Sequence, residues 1–158
     1  MPDLRELYQQ LIIDHSRHPH NCRAMGDADA RADGHNPLCG DRVTLYLKLE
    51  DDRVSDISFQ GNGCAISTAS ASLLTEVLRG KTRAEAAELF ESFHDMVMGT
   101  APRDDSGETS LGKLRVFAGV SEYPVRVKCA TLVWHTLRAA LNQIREPVTT
   151  EETASARL

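Results

Sequence analysis

A thiol and a carboxylate flank one glycine in the segment Asn36-Pro37-Leu38-Cys39-Gly40-Asp41, where a predicted loop becomes a predicted strand. Glycine allows the backbone to turn sharply between them. Two further cysteines, Cys64 and Cys129, each fall in the predicted first turn of a helix. A helix N-terminus favours negative charge and lowers the pKa of a thiol placed there. Three thiolates and one carboxylate suit zinc, which they can close tetrahedrally at about 2.0–2.3 Å per bond.

The spacing of these residues does not by itself establish a metal site. Cys64 follows Cys39 by 25 residues and Cys129 follows Cys64 by 65, which is not the pattern of a zinc finger. A free cysteine is also often no more than a small buried apolar residue. Cys22 lies in a polar stretch without comparable neighbours, and we predict that it is a spare thiol. The metal hypothesis therefore depends on what surrounds the other three cysteines.

The histidines are the other candidate ligands. His35 is the strongest of them, because it lies close to Cys39 in the sequence. A cluster at the end of the first predicted helix is expected to have surface or capping roles rather than to bind metal; it comprises His15, His18 and His20.

Composition restricts the class of protein. The net charge of -5 argues against a general nucleic-acid binder, whose affinity would come from neutralising phosphates. No apolar run approaches the roughly 20 residues that cross a bilayer, and the N-terminus lacks the pattern of a signal peptide. We therefore expect a cytoplasmic protein without a membrane partner. Thiols stay reduced there, so four cysteines favour metal binding or catalysis over disulfides.

The periodicity of apolar residues predicts five helices. The first, residues 4–15, carries Leu4, Leu7, Leu11 and Ile12 on one face, and Pro19 limits its extent. Two more are predicted over residues 64–78 and 83–97, the latter with a capping box formed by Thr82 and Glu85. A short helix over residues 111–120 and a final helix over residues 126–144 follow. The small residues 67–72 allow close approach of the second helix to a neighbouring layer.

Two alternating segments, residues 41–49 and 54–60, predict strands joined by a short polar turn, which makes them an antiparallel hairpin. Residues 20–35 are polar and rich in Gly, Asp, Ala and Asn, so they predict a loop, within which a third short strand can lie. The predicted fold class is α+β, with a small antiparallel sheet of about three strands and helices packed largely on one face. Residues 1–145 are predicted to form a single domain, and residues 146–158 a disordered tail.

The residues around the three cysteines carry a specific resemblance. The motifs are the segment 36–41 above, Gly61-Asn62-Gly63-Cys64-Ala65-Ile66-Ser67 with Ala69-Ser70, and Tyr123-Pro124 followed by Arg126, Lys128-Cys129-Ala130 and Trp134. Together they resemble the iron–sulfur cluster assembly scaffold (IscU/NifU N-terminal-like) family over nearly the whole chain. IscU-type members carry histidine immediately before the last cysteine, where this chain has Lys128. The segment between Thr82 and Leu114 is also longer than theirs, so the chain is more similar to the SufU-type branch.

The resemblance to SufU-type proteins implies a zinc-dependent sulfurtransferase. Such a protein accepts sulfur from the persulfide of a SufS-type cysteine desulfurase and passes it to downstream Suf assembly components. The implied zinc ligands are Cys39, Asp41, Cys64 and Cys129. Cys39 is the implied sulfur acceptor, which a histidine of the partner displaces from zinc.

The same resemblance implies a role for Arg126 in engaging the desulfurase. Arg126 and Lys128 flank the last cysteine, and surface charges are usually only solvated. Beside a thiolate site on an acidic protein they could instead attract an anionic persulfide partner.

Two other functions use the same residues. A scaffold would assemble and transfer a [2Fe–2S] cluster, and iron would then replace zinc; Lys128 in place of histidine argues against it. A purely structural zinc domain is the third possibility, although such sites are usually closed by Cys and His rather than by an aspartate.

Overall fold

The computed structural model describes residues 4–37, 40–99, 111–143 and 148–150. A three-stranded antiparallel sheet forms its centre, with β1 (Ala30–Asn36), β2 (Asp41–Glu50) and β3 (Arg53–Asn62) in the order β1-β2-β3. The predicted hairpin is confirmed. β1 lies almost wholly within residues 20–35, which were predicted as a loop that could contain a short strand. The α+β fold class is confirmed as well.

The pairing register decides which side chains of the sheet face the core. Val43 and Leu45 on β2 are paired with Gly34 and Ala32 on β1, and all four are buried. Because side chains alternate between faces with a period of two, Asp41 lies on this same buried face, at the start of β2. The strand that supplies much of the core therefore also turns a carboxylate inward at its end.

The helices lie close to the predicted positions. They are α1 (Leu4–Arg17), α2 (Ala65–Leu78), α3 (Arg83–Met98), a 3-10 helix (Gly112–Glu122) and α4 (Pro124–Leu141). The capping box at the start of α3 is confirmed, since Thr82 Oγ1 accepts the Glu85 N–H and the Glu85 carboxylate accepts the Thr82 N–H. The fourth helix is of the tighter 3-10 type.

The packing of α4 against α2 and the sheet depends on small residues. Ser70 on α2 donates a hydrogen bond to the carbonyl of Ala130 at 2.6 Å and accepts one from the Trp134 indole at 3.2 Å. A side chain at Gly34 would come within 2.2 Å of Thr136 Oγ1 on α4. Trp134 is fully buried and stacks on Phe93, as expected for a core residue. These close contacts place the N-terminal half of α4 beside the ends of β1 and β2.

Two expectations about the chain ends need correction. Leu7 was predicted to lie on the buried face of α1, but it is 52% exposed. The helix is buried at Ile12 and His15 instead, with Tyr8 and Leu11 packed partly buried against the core. Residues 148–150 belong to the predicted disordered tail, yet they lie against β1: Val148 pairs with Gly34 as a parallel bridge. Backbone groups at the edge of β1 provide the partners that a disordered tail would lack.

Within the described part of the chain, no helix combines the length and the apolar character required to span a membrane.

His135 on α4 gives the fold a dependence on pH. Its imidazole lies edge-on to Phe90 and beside His94, and burial, with the nearby positive charge of Arg138, lowers the pKa of His135 to about 4. The unfolded chain would bind this proton near pH 6.5, so His135 contributes stability above pH 6.5 that is lost as the pH falls toward 4. The contribution is roughly 3 kcal/mol over that interval.

We expect His135→Gln to flatten the acid side of the stability profile. Between pH 6.5 and pH 4, the free energy of unfolding should fall by roughly 3 kcal/mol less in the variant than in the wild type. Urea unfolding at several pH values, with a chelator in all samples, measures this difference. His18→Gln changes an exposed histidine in the same way and should leave the profile unchanged. Parallel profiles for His135→Gln and wild type would contradict the assignment.

Candidate metal centre

Three of the four predicted metal ligands come together at one end of the sheet. Asp41, Cys64 and Cys129 each offer a ligand atom, and these atoms lie within 4.8 Å of one another. They come from the start of β2, the start of α2 and the N-terminal half of α4. The packing of two helices against the sheet thus brings Cys64 and Cys129 to Asp41, although they follow it by 23 and 88 positions in the sequence.

Asp41 is almost fully buried, with 2% of its surface exposed. Its Oδ1 accepts a hydrogen bond from the Cys64 N–H at 3.0 Å. Its Oδ2 is buried and has no hydrogen-bond partner among the residues that the structure describes. A buried carboxylate oxygen without a partner is costly, and a metal ion would satisfy it.

Cys64 is the N-cap residue of α2. Its Sγ accepts the Ser67 N–H at 3.4 Å, so the thiol takes the place that a serine or aspartate oxygen commonly has at a helix start. Gly63 is needed beside it, because a Cβ at that position would lie 2.9 Å from Asp41 Oδ1. The short Gly-containing connection from β3 therefore places Cys64 directly against the carboxylate.

Cys129 is buried and lies further into its helix than predicted. It was expected in the first turn, but α4 begins at Pro124, which makes Cys129 the sixth residue and puts it in the second turn. Proline is favoured at the first helical position, where its missing N–H costs nothing. The prediction that a helix N-terminus activates the thiol is therefore wrong for Cys129 and applies only to Cys64.

The two thiols have opposite electrostatic character. A hydrogen bond from the Cys129 thiol lowers the pKa of Cys64 to about 6 against the effect of burial, and the Ser67 N–H acts in the same direction. The same hydrogen bond, together with burial and the nearby Asp41 carboxyl, raises the pKa of Cys129. Without a metal, Cys64 is favoured as a thiolate while Cys129 is favoured as a thiol. A divalent cation at this point would reverse that preference for Cys129, because coordination deprotonates a thiol.

Cys39, the predicted fourth ligand and sulfur acceptor, lies outside the described residues. The described residues on either side of it are Pro37 and Gly40. Gly40 has a φ of +81°, and its N–H donates to the carbonyl of Asn36 at 2.8 Å. The sharp turn expected at this glycine is therefore present immediately before Asp41.

The two basic residues near Cys129 differ in their surroundings. Arg126 is exposed in the first turn of α4, with its guanidinium 4.7 Å from the ring centre of Tyr123. It precedes Cys129 by three positions, so the two residues lie on the same side of the helix. Lys128 is partly buried, and its carbonyl accepts a hydrogen bond from Thr150 Oγ1 at 2.8 Å.

The remaining candidates lie elsewhere. Cys22 is an exposed free thiol. The Nε2 atom of His35 lies 3.4 Å from the guanidinium of Arg42 and is in neither cluster of potential ligands among the described residues. His35 is therefore not placed with the three ligands in this structure.

The structure also contains a second polar cluster, which the sequence did not reveal. His15 was expected at the surface, but it is 4% exposed and its Nδ1 lies 2.7 Å from Ser72 Oγ. His20 contacts the Glu76 carboxylate, which Lys113 approaches at 3.4 Å. Although burial opposes it, hydrogen bonds and positive charge from His20 and Lys113 lower the pKa of Glu76. These contacts join α1, α2 and the 3-10 helix, and His15, His20 and Glu76 are the second cluster of potential metal ligands among the described residues.

Known proteins with similar sequences agree on one family. The family model described as "NifU-like N terminal domain" matches residues 7–130. The zinc-dependent sulfurtransferase SufU of Bacillus subtilis (strain 168) is 43% identical over 135 residues, which are 85% of this chain and 89% of that protein. The iron–sulfur cluster assembly scaffold protein IscU of Streptococcus pyogenes serotype M1 is 39% identical over 140 residues, covering 89% and 86%.

A solved structure agrees with this result. The crystal structure of the N-terminal part of a nitrogen-fixing NifU-like protein from Brucella abortus superposes with a TM-score of 0.78 at 25% identity. The match covers 89% of this chain and 96% of that one. The fold predicted from the sequence is therefore the fold of these proteins.

Proposed function

This chain belongs to the NifU-like N-terminal domain family of iron–sulfur cluster assembly proteins, and we propose that within it the chain is a zinc-dependent sulfur carrier. The observation that carries the proposal is the buried Oδ2 of Asp41, which lacks a partner among the described residues and lies with two cysteines in one cluster of potential ligands. Relatives named for zinc-dependent sulfur transfer and for cluster scaffolding are similarly close to this chain. The choice between a sulfur atom and an iron–sulfur cluster as the transferred group therefore rests on the residues of the site.

The donor set fits zinc. Asp41, Cys64 and Cys129 would hold the ion together with Cys39, and zinc would keep the cysteines as thiolates without any redox chemistry of its own. The chain contributes two further features. Ser67 and the N-terminus of α2 stabilise negative charge on Cys64, and the Cys64 N–H fixes the orientation of the Asp41 carboxylate.

Cys39 is the proposed sulfur acceptor. Its thiolate attacks the terminal sulfur of a persulfide on the partner desulfurase, which forms a new S–S bond on Cys39. The S–S bond of the partner's persulfide breaks, and the partner cysteine leaves as a thiolate. The transfer consumes no oxidant or reductant, because one persulfide is exchanged for another.

Arg126 is the proposed contact for the partner. Its exposed guanidinium is held beside Tyr123 on the same helix side as Cys129, where it can attract an anionic persulfide group. The proposed partners are a SufS-type cysteine desulfurase and, for delivery, downstream Suf assembly components. The proposed location is the cytoplasm.

The alternative is a scaffold that transiently carries a [2Fe–2S] cluster as cargo. The observation in its favour is the 39% identity with a protein named as a scaffold. Lys128 stands immediately before Cys129, where IscU-type chains would provide a histidine ligand, and this favours the sulfur carrier.

Metal content and desulfurase stimulation test the proposal together. Protein purified in air should contain about one zinc per chain and little iron, and it should stimulate a cognate SufS-type desulfurase that releases sulfide in the presence of a reductant. Arg126→Ala should retain zinc but require a higher chain concentration for half-maximal stimulation. Stoichiometric iron with a cluster absorption spectrum would favour the scaffold. A chain with neither zinc nor stimulation would contradict the sulfur carrier.

A further inference from the structure

The C-terminal residues 148–150 cross the edge of the sheet beside the metal centre. The Val148 N–H donates to the carbonyl of Asp33 at 2.9 Å, and the His35 N–H donates to the carbonyl of Val148 at 2.8 Å. This is the pattern of a short parallel strand added to β1. Val148 also packs against the hydrophobic core. The segment is thus attached by both its backbone and a side chain.

The next two residues of this segment surround the side chain of Asn36. Asn36 Oδ1 accepts hydrogen bonds from Thr149 Oγ1 at 2.8 Å and from the Thr150 N–H at 2.9 Å. Asn36 Nδ2 donates to Thr150 Oγ1 at 2.9 Å. Asn36 itself has no exposed surface, whereas Thr149 is exposed and Thr150 is partly buried. The hydrogen bonds therefore satisfy a buried amide, and their loss is costly on the Asn36 side.

Thr150 then connects Asn36 to the last helix. Its hydroxyl accepts from Asn36 and donates to the carbonyl of Lys128 at 2.8 Å, which uses its one proton and one of its acceptor sites. Asn36 is the cross-strand partner of Asp41, and Lys128 directly precedes Cys129. One hydroxyl group therefore links the two chain segments that carry two of the metal-binding groups.

We propose that residues 148–150 form a C-terminal strap in which Thr150 is a positioning residue that fixes the distance between Asp41 and Cys129. The functional consequence rests on the proposed zinc site, whereas the mechanical link does not. With the strap in place, the buried Cys129 is shielded and the carboxylate and thiol are held ready for the ion. When the strap is released, the end of the β1–β2 hairpin and the start of α4 are free to separate.

The isosteric substitution Thr150→Val removes both hydroxyl hydrogen bonds and keeps the shape of the side chain. We expect three effects, each about tenfold, which corresponds to the loss of one or two net hydrogen bonds. The His35 amide should exchange its hydrogen faster, Cys129 of the metal-free protein should be alkylated faster, and bound zinc should pass faster to a chelator. Thr150→Ser keeps the hydroxyl and should restore all three rates to near the wild-type values.

Thr75→Val is the matched control. Thr75 Oγ1 on α2 also donates to a carbonyl, that of Ser72 at 2.7 Å with the His20 carbonyl further away at 3.5 Å, and accepts one hydrogen bond, from Asn21 Nδ2 at 3.0 Å. It lies eleven residues beyond Cys64 on the same helix, about 16 Å along its axis. This variant loses an equivalent pair of hydrogen bonds without touching the strap. It should leave the three rates unchanged.

The outcomes separate the strap from the proposed function. Faster His35 exchange with unchanged Cys129 alkylation would overturn the proposal, because the segment would then be packed on the sheet without positioning the site. Unchanged exchange would overturn it as well. A chain that binds no zinc would refute the proposed function, and the alkylation of Cys129 in metal-free protein would still decide whether the strap acts on the site.

Discussion

Cys39→Ser is expected to abolish sulfur acceptance while leaving the fold intact. A serine hydroxyl at neutral pH is a far weaker nucleophile than a cysteine thiolate, and it cannot form a persulfide. Stimulation of the desulfurase should fall at least about a hundredfold, to the level without added chain. The measurement is sulfide release by the desulfurase, together with mass spectrometry of the chain after mixing. A mass increase of one sulfur atom on wild type and none on the variant is the expected result.

Cys22→Ser is the matched control for this experiment. Cys22 is an exposed free thiol, so the same substitution there removes an accessible cysteine without affecting the three clustered groups. It should retain full stimulation and the added sulfur atom. If Cys39→Ser stimulates the desulfurase as well as wild type does, Cys39 is not the acceptor, and a scaffold or structural role gains support.

Cys64→Ser is expected to cause a large loss of zinc affinity. Zinc sites in small domains bind with apparent free energies of about 10–16 kcal/mol, so one of four ligands accounts for roughly 3 kcal/mol, or a hundredfold in affinity. Serine keeps a hydrogen-bond acceptor for the Ser67 N–H at the helix start, so the cap of α2 survives. Competition with a chromogenic chelator measures the affinity, and circular dichroism establishes that the helices are retained.

Comparing Cys64→Ser with Cys22→Ser distinguishes the loss of a zinc ligand from the loss of any one thiol. Cys22→Ser should bind zinc with the wild-type affinity. An affinity of Cys64→Ser within about threefold of wild type would contradict a role for Cys64 as a ligand, since thiolate and hydroxyl differ widely as zinc donors. Loss of helical signal in Cys64→Ser alone would instead show that the cap, and not only the metal, depends on the sulfur.

The local features of this fold could be read from the sequence. The capping box at Thr82 and the alternation along β2 involve residues within a few positions of one another, and both were predicted correctly. The position of Cys64 at the start of α2 is also a local feature, because β3, the Gly-containing connection and α2 follow one another directly in the chain. The error at Cys129 was local too. The last helix was predicted from residue 126, but proline favours the first position of a helix and α4 begins at Pro124.

The strand β1 could not be predicted from its own residues. Its sequence, Ala30–Asn36, contains alanine, aspartate, glycine and asparagine, which are depleted in strands, so only a possible short strand was predicted within this region. Pairing with β2 makes it a strand, and the packing of α4 at Gly34 explains why a small residue stands there. The segment is a strand because of its neighbours rather than its own preference.

The sequence by itself determined the chemistry of this protein: the types of its potential ligands, the turn at Gly40 and the family to which those motifs belong. The tertiary structure decided which of them meet. It brought Asp41, Cys64 and Cys129 within 4.8 Å, left His35 beside Arg42, and turned residues 148–150 into a strap. Asn36 and Thr150 are 114 positions apart, and Thr150 and Lys128 are 22. Contacts over such separations depend on how helices pack on the sheet, which no local pattern of residues encodes.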